Sequence, residues 1–220
     1  VKKRFLTRRK AKTPFILAGL VILLGGYFGF QKAFKSQSEE IKEPIVLETW
    51  SRFSEMNRLG MLLKGFAISS IADVPCGNID SLDLTSLPIE HYLGIVKGRD
   101  EAGALQTLFG SAKSSFMAFD PIIDVLPRVD LILCWDYLCT LSPLEIRAAL
   151  LQFKKSGATF ILMRHFPEVR KNEEKKPGVF QPINWKIPPY NFPEPIIHIM
   201  ENGEHGMESL ALWNLENLPS

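Results

Sequence analysis

Residues 129–136 read VDLILCWD, apolar through the middle and bounded by acids near each end. A run this short and this uniformly apolar fits a strand covered on both faces, which in turn demands layers above and below one sheet. Other short apolar runs recur at AISSIADV (67–74), HYLGIV (91–96), SSFMAFD (114–120) and ATFILMRHF (158–166). Helical patterns alternate with them. RDEAGALQTLFG (99–110) has an acidic first turn and a glycine stop. SPLEIRAALLQFKKSG (142–157) carries a complete set of start and stop signals. Ser142 stands at the N-cap, Pro143 at the first helical position, Glu145 three residues on for a capping box, and Gly157 at the end. Apolar residues at 47, 50, 53, 56, 59, 62, 63 and 66 predict a further helix over 45–66. After a proline-rich stretch, 167–195, the runs IIHIME (196–201) and ESLALWNL (208–215) read as a closing hairpin. The expected fold is an α/β sandwich, a mostly parallel sheet with a C-terminal antiparallel strand pair.

Ligands of such sheets bind outside the carboxyl ends of the strands, at the point where strand order reverses. That rule selects Asp73–Asn78, Val96–Asp100, Phe119–Asp120, Cys134–Tyr137 and Arg164–Phe166 as the loops that should share one rim.

The N-terminal part has a different character. Residues 1–12 hold seven basic side chains and no acid, and residues 13–31 (TPFILAGLVILLGGYFGFQ) are 19 residues without a charge. As a helix that segment spans about 28 Å at 1.5 Å per residue, close to a bilayer core, and predicts a single-pass transmembrane helix. Residues 32–44 read as a linker and 45–220 as the folded domain. The basic tail puts the domain outside by the positive-inside rule. An enzyme using a cytosolic cofactor would need it on the cytosolic side. Gly25 and Gly29 form a G-x-x-x-G through which two such helices would pair as a homodimer.

Charge excludes one class of partner. Of 26 basic and 24 acidic residues, 19 and 24 remain beyond residue 12, so the rest of the chain is near −5. That is no footprint for nucleic acid. Cys76, Cys134 and Cys139 show no metal-ligand spacing, nor do His91, His165, His198 and His205, and no metal is expected. The three cysteines read as reduced, buried thiols. There is no G-x-G-x-x-G after a strand and no G-x-x-x-x-G-K-[ST].

The turn DVPCGN (73–78), the FD at 119–120 and DLILCWDYLCTLS (130–142) together resemble class I S-adenosylmethionine-dependent methyltransferases, in particular a small bacterial-type group. That group's pattern runs D-x-P-C-G-D, Y-x-G-x-D, D-L-x-L-C-R-D-x-L-x-H-L-S, then T-H-F, G-x-F-R-P-L-N, P-P-F-x-x-P-x-P and a closing L-x-L-W. Here RHF (164–166), PGVFQPINW (177–185), PPYNFPEP (188–195) and LALWNLENLP (210–219) keep the later part, and the likeness covers about residues 65–219. The resemblance implies a Rossmann-like methyltransferase sandwich, S-adenosylmethionine as cofactor, and a small-molecule or membrane-linked methyl acceptor. It implies cofactor contacts from Asp73, Pro75, Cys76, Gly77, Asn78, Val96, Asp120 and Trp135. It places Asp136 beside the transferring methyl and offers His165, at the end of the fifth run, as general base. Asn184, Tyr190 and Asn191 of the proline-rich stretch would line the acceptor pocket.

Departures from the pattern remove charge. Val96 stands where an acid should hold the ribose hydroxyls, Asn78 replaces an acid, Trp135 an arginine, Thr140 a histidine and Gln181 an arginine. Two readings therefore stand side by side: a membrane-anchored methyltransferase, or a binding or scaffold protein on a catalytically degenerate methyltransferase fold.

Overall fold

The computed structural model describes residues 45–47, 55–77, 84–173, 178–203 and 206–219. The basic tail, the apolar segment 13–31, the linker 32–44 and Asn78 lie outside them. No described helix is long and apolar enough to cross a membrane.

The described elements are strand β1 (Ile45–Leu47), helix α1 (Glu55–Gly65), β2 (Ser70–Asp73), β3 (His91–Val96), α2 (Arg99–Phe109), β4 (Ser114–Ala118), β5 (Leu131–Cys134), a 3-10 turn (Tyr137–Thr140), α3 (Pro143–Lys155), β6 (Phe160–His165), β7 (Ile197–Gly203) and β8 (Gly206–Asn214). The strands form one sheet in the order β1-β7-β8-β6-β5-β2-β3-β4. β8 runs antiparallel to both β6 and β7, and the other neighbours are parallel. From β2 the chain builds outward through β3 and β4, then returns to place β5 on the opposite side of β2. Strand order reverses between β2 and β5, so the crevice of the fold opens there.

The all-apolar central runs are explained by two distinct cores. On one face Leu59, Leu62 and Leu63 of α1 and Ala102 of α2 pack over Ile71, Tyr92, Leu131, Leu133 and Leu162. On the other, Ile146, Ala149, Leu150 and Phe153 of α3 cover Ala72, Ile95, Ile132, Ile161 and Met163. The spacing 146, 149, 150, 153 is the apolar stripe of one helix face. The start of α3 is the capping box expected, with the Ser142 hydroxyl accepting from the Glu145 amide and the Glu145 carboxylate accepting from the Ser142 amide. The irregular stretch 167–195 takes the place of a second helix on this face and lays Trp185 and Phe192 over Trp213 of β8. It forms a strap across the sheet face.

The predicted helix over 45–66 needs correction. The described helix is Glu55–Gly65, and Ile45–Leu47 is an edge strand paired in parallel with Ile197–Ile199. β-branched Ile45 and Val46 suit a strand, and the pairing covers the outer edge of β7. The closing hairpin is also longer than expected, β7 and β8 pairing as far as Gly203 and Gly206.

The lower, N-terminal edge of the sheet is tied by one carboxylate. Asp130 Oδ2 accepts from the amides and hydroxyls of both Ser69 and Ser70, each at 2.9 Å. Its carbonyl accepts from Thr159 and Phe160 at the start of β6. One residue thereby aligns the entries of β2, β5 and β6. Partial burial works against ionisation of Asp130, but the serine hydrogen bonds outweigh it and hold its pKa below the ordinary value. Its stabilisation is therefore full above pH 3.8 and lost as pH falls through the lowered folded value. Asp130→Ala should cost about 2–3 kcal/mol in urea unfolding at pH 7. That difference should shrink toward pH 3; a cost that does not depend on pH would refute the ionised clamp.

Candidate functional site

β2 ends at Asp73 and the chain turns through Val74, Pro75, Cys76 and Gly77. Backbone bonds fix this corner to both neighbours: Val74 N–H donates to the Leu133 carbonyl of β5 and Cys76 N–H to the Ile95 carbonyl of β3, each 2.8 Å. Asp73 is buried directly beneath. Its Oδ2 accepts from the Tyr92 hydroxyl at 2.8 Å. Its Oδ1 is buried with no hydrogen-bond partner among the described residues. Burial pushes the Asp73 pKa up to about 7, with the Tyr92 bond pulling the other way. Above the corner Gly77 is exposed, and a Cβ built on it would meet nothing within 4 Å. Pro75 is exposed, whereas Cys76 is buried and its thiol is pushed up to about 12, first by burial and then by Asp73 and Glu101.

Tyr137 follows the neighbouring strand, β5, at the same end of the sheet. It begins the 3-10 turn after β5, is 9 % exposed, and its hydroxyl has no partner among the described residues. Lys97, which follows β3, holds its ammonium 5.6 Å from the Tyr137 ring centroid. Burial foremost, then the nearby Asp120 carboxylate, pushes the Tyr137 pKa up, so the phenol keeps its proton. The motif reading passed over Tyr137 and Lys97. Tyr137 sits inside the quoted CWDYLC run, but nothing in that run says which of its side chains turns inward.

Asp120 belongs to the same rim, and its carboxylate shapes its own loop. Oδ1 accepts from Ile122 N–H at 3.0 Å, while the Asp120 amide donates to Asp124 at 2.9 Å. Trp135 is half-buried against the core beneath α1 and α2, and its carbonyl accepts from Arg164 N–H at 3.1 Å. Asp136 is held by Arg164 at 2.7 Å, and Arg164 also reaches Glu208 at 2.6 Å. Those two carboxylates raise the arginine's pKa against the effect of its burial.

The expected roles of five residues do not survive the geometry. His165 is fully buried on the sheet face beneath the strap, its ring 5.6 Å from that of His198 and 5.8 Å from that of Trp213, and its Nδ1 accepts from Trp185 N–H at 3.3 Å. Burial, then His198 and Lys186, pushes its pKa down to about 3. It is a neutral packing residue without access to the rim, because the strap lies over it. Val96 is 2 % exposed and packs with Ala102 and Phe116, so its side chain points into the core rather than toward a ribose. Asn184 ties the strap to itself, its amide group donating to the Pro167 and Val169 carbonyls and its Oδ1 accepting from Lys186. Tyr190 stacks beside Trp185 at 4.8 Å on the sheet face, next to exposed Asn191 at φ 51°. These three hold and finish the strap; none stands at the strand ends.

The rim thus gathers the 73–77 corner, Asp120, Lys97 and Tyr137. Asp73 Oδ1, without a partner among the described residues, is the group of this rim that could receive a cation.

No protein-family model and no curated protein matches this chain. Solved structures do. TehB from Haemophilus influenzae aligns with TM-score 0.50 and 12 % identity over 75 % of this chain and 64 % of that one. The N-terminal domain of EvdMO1, crystallised with S-adenosylhomocysteine and D-fucose, aligns at 0.49 and 13 % over 84 % and 96 %. Magnesium protoporphyrin IX methyltransferase from Synechocystis PCC 6803 with bound S-adenosylhomocysteine aligns at 0.48 and 10 % over 89 % and 98 %. The chain spans less than two thirds of other matched structures, 64 % of one and 53 % of another. The shared feature is the fold, the Rossmann-like sandwich with its antiparallel C-terminal pair.

The raised Asp73 pKa has a sign that can be tested. The protonated form is favoured in the fold, so the stability it contributes is full below pH 3.8 and lost as pH rises through about 7. Asp73→Asn does not titrate, so its melting temperature relative to the parent should climb between pH 4 and pH 8. A flat difference would mean that the carboxyl is ionised and solvated throughout.

Proposed function

We propose that this chain is an S-adenosylmethionine-dependent methyltransferase acting on a small-molecule or membrane-proximal acceptor. The observation that carries the reading is the buried, half-satisfied Asp73 carboxylate under an open glycine corner at the sheet's switch point. A carboxylate with one unpartnered oxygen is expensive to keep dry. A cationic ligand group there would offset that cost, and the α-ammonium of an amino-acid cofactor is such a group. The resemblance in the sequence supplies the identity of that cofactor; the fold is compatible with it.

When bound, the cofactor supplies an electrophilic methyl group. Asp73 Oδ1 and the main chain at Gly77 would hold its methionine end. Tyr137, a proton-bearing donor, would orient the acceptor or the cofactor across the crevice, and Lys97 over its ring would close the opening. Among the described residues Asp136 is paired with Arg164 and Asp120 caps its loop, so neither is set up as a base. The site's contribution is then chiefly proximity and in-line alignment of the acceptor. The apolar segment 13–31 would tether the enzyme to a membrane, so lipid-linked acceptors join small molecules as candidates.

One observation favours the alternative of a degenerate fold that only binds: Val96 is packed into the core at the ribose position. Calorimetric titration of the full chain with S-adenosylhomocysteine separates the readings. Binding should strengthen as pH rises from 6 to 8, while Asp73 ionises and meets the ligand's ammonium. Asp73→Asn should bind about tenfold more weakly at pH 8 and lose that pH dependence. No heat up to millimolar ligand would discard the methyltransferase reading in favour of the degenerate one.

A further inference from the structure

Away from the rim, α3 and the strap leave a cleft of about 290 Å³ between them. Leu150 and Leu151 of α3 form one wall, Tyr190 and Phe192 of the strap the other, and Pro219 lies at one end. The lining is mostly apolar and contains no acid, yet it includes two cations, Arg147 and Lys154. They are seven residues apart on one helix, or about 10 Å along its axis at 1.5 Å per residue. They therefore stand toward opposite ends of the cleft. Lys154 is already engaged, donating to the Leu218 carbonyl. Arg147 makes no ion pair among the described residues. A guanidinium at the mouth of an apolar slot is complementary to a carboxylate on an apolar tail, because the fork-shaped donor set matches two carboxylate oxygens.

We infer that this cleft is a binding site for a medium-chain monocarboxylate, with the carboxylate on Arg147 and the aliphatic chain lying between Leu150, Leu151 and Phe192. Size sets the chain length. An extended eight-carbon acid is about as long as the roughly 10 Å that separate Arg147 from Lys154 along the helix. A peptide helix or a second copy of the chain needs a larger and more open surface than this. The site is independent of the methyl-transfer reading.

The test is calorimetric titration of the full chain with sodium octanoate, hexanoate, octan-1-ol and octylammonium. Octanoate should bind saturably, about tenfold more tightly than hexanoate because two methylenes are lost, and more tightly than the alcohol or the amine. Arg147 is exposed, so its substitution leaves the core intact. Arg147→Gln should weaken octanoate at least fivefold, and Arg147→Glu should reverse the order so that octylammonium binds better than octanoate. Octanol or octylammonium matching octanoate on the parent chain would overturn the assignment. So would a non-saturating titration, or an order of ligands unchanged by Arg147→Glu.

Discussion

The Asp130 carboxylate is the constraint on which the rest of the architecture depends. A parallel sheet has no hairpins to set its register, so the central strands need some other tie. Here one side chain gathers four donors from the residues entering β2, and its own main chain receives the start of β6. With β2, β5 and β6 aligned at their lower ends, their upper ends emerge level. Only then do the corner at residues 73–77 and the turn at Tyr137 stand across one crevice. A slip of one residue in β5 would send Leu133 and Cys134 to the wrong faces and carry Tyr137 out of the rim.

The two faces of the sheet are covered by different means. α1 and α2 close one, whereas α3 shares the other with an irregular strap whose aromatic side chains do the work of a helix. Trp185 is stacked on Phe192 at 5.4 Å and hydrogen-bonds the Arg164 carbonyl at 2.7 Å, which pins the strap to the end of β6. Packing of that quality removes the nearby polar groups from chemistry. His165 and His198 lie under it, both held neutral chiefly by burial. The aromatic and amide side chains of the strap are accordingly spent on packing and on its internal hydrogen bonds.

The rim combines a costly feature with a permissive one. Asp73 is kept from water with one oxygen unserved, while the space beside Gly77 is open. Buried polar groups in native proteins are nearly always paired, so an orphan at a sheet's switch point is informative in a way that an exposed acid would not be. Tyr137 adds a second orphan, a phenol that burial and surrounding negative charge keep protonated. The pair offers an acceptor for a cation and a donor for an oxygen or nitrogen lone pair.

Most of the architecture was legible in the residue pattern. The five apolar runs, the start and stop of α3 and the closing hairpin follow from periodicity and caps, which are local properties of the chain. The stretch 45–66 was misread at its start because apolar residues every third position also occur by chance ahead of a true helix; only β7, some 150 residues away, makes Ile45–Leu47 a strand. The site was half legible. Asp73 and Gly77 follow from the rule that ligands meet strand ends, and they are where that rule puts them. Whether Val96 or Lys97 faced the crevice, whether His165 lay at the rim or under a strap, and that Tyr137 turned inward were decided by the pleat of the sheet and the path of residues 167–195. The sequence by itself determined the elements and their layering, because periodicity and caps act within a few residues. Only the tertiary structure decided which titratable groups are wet, which are paired and which are stranded, because desolvation depends on neighbours that the chain brings in from far away.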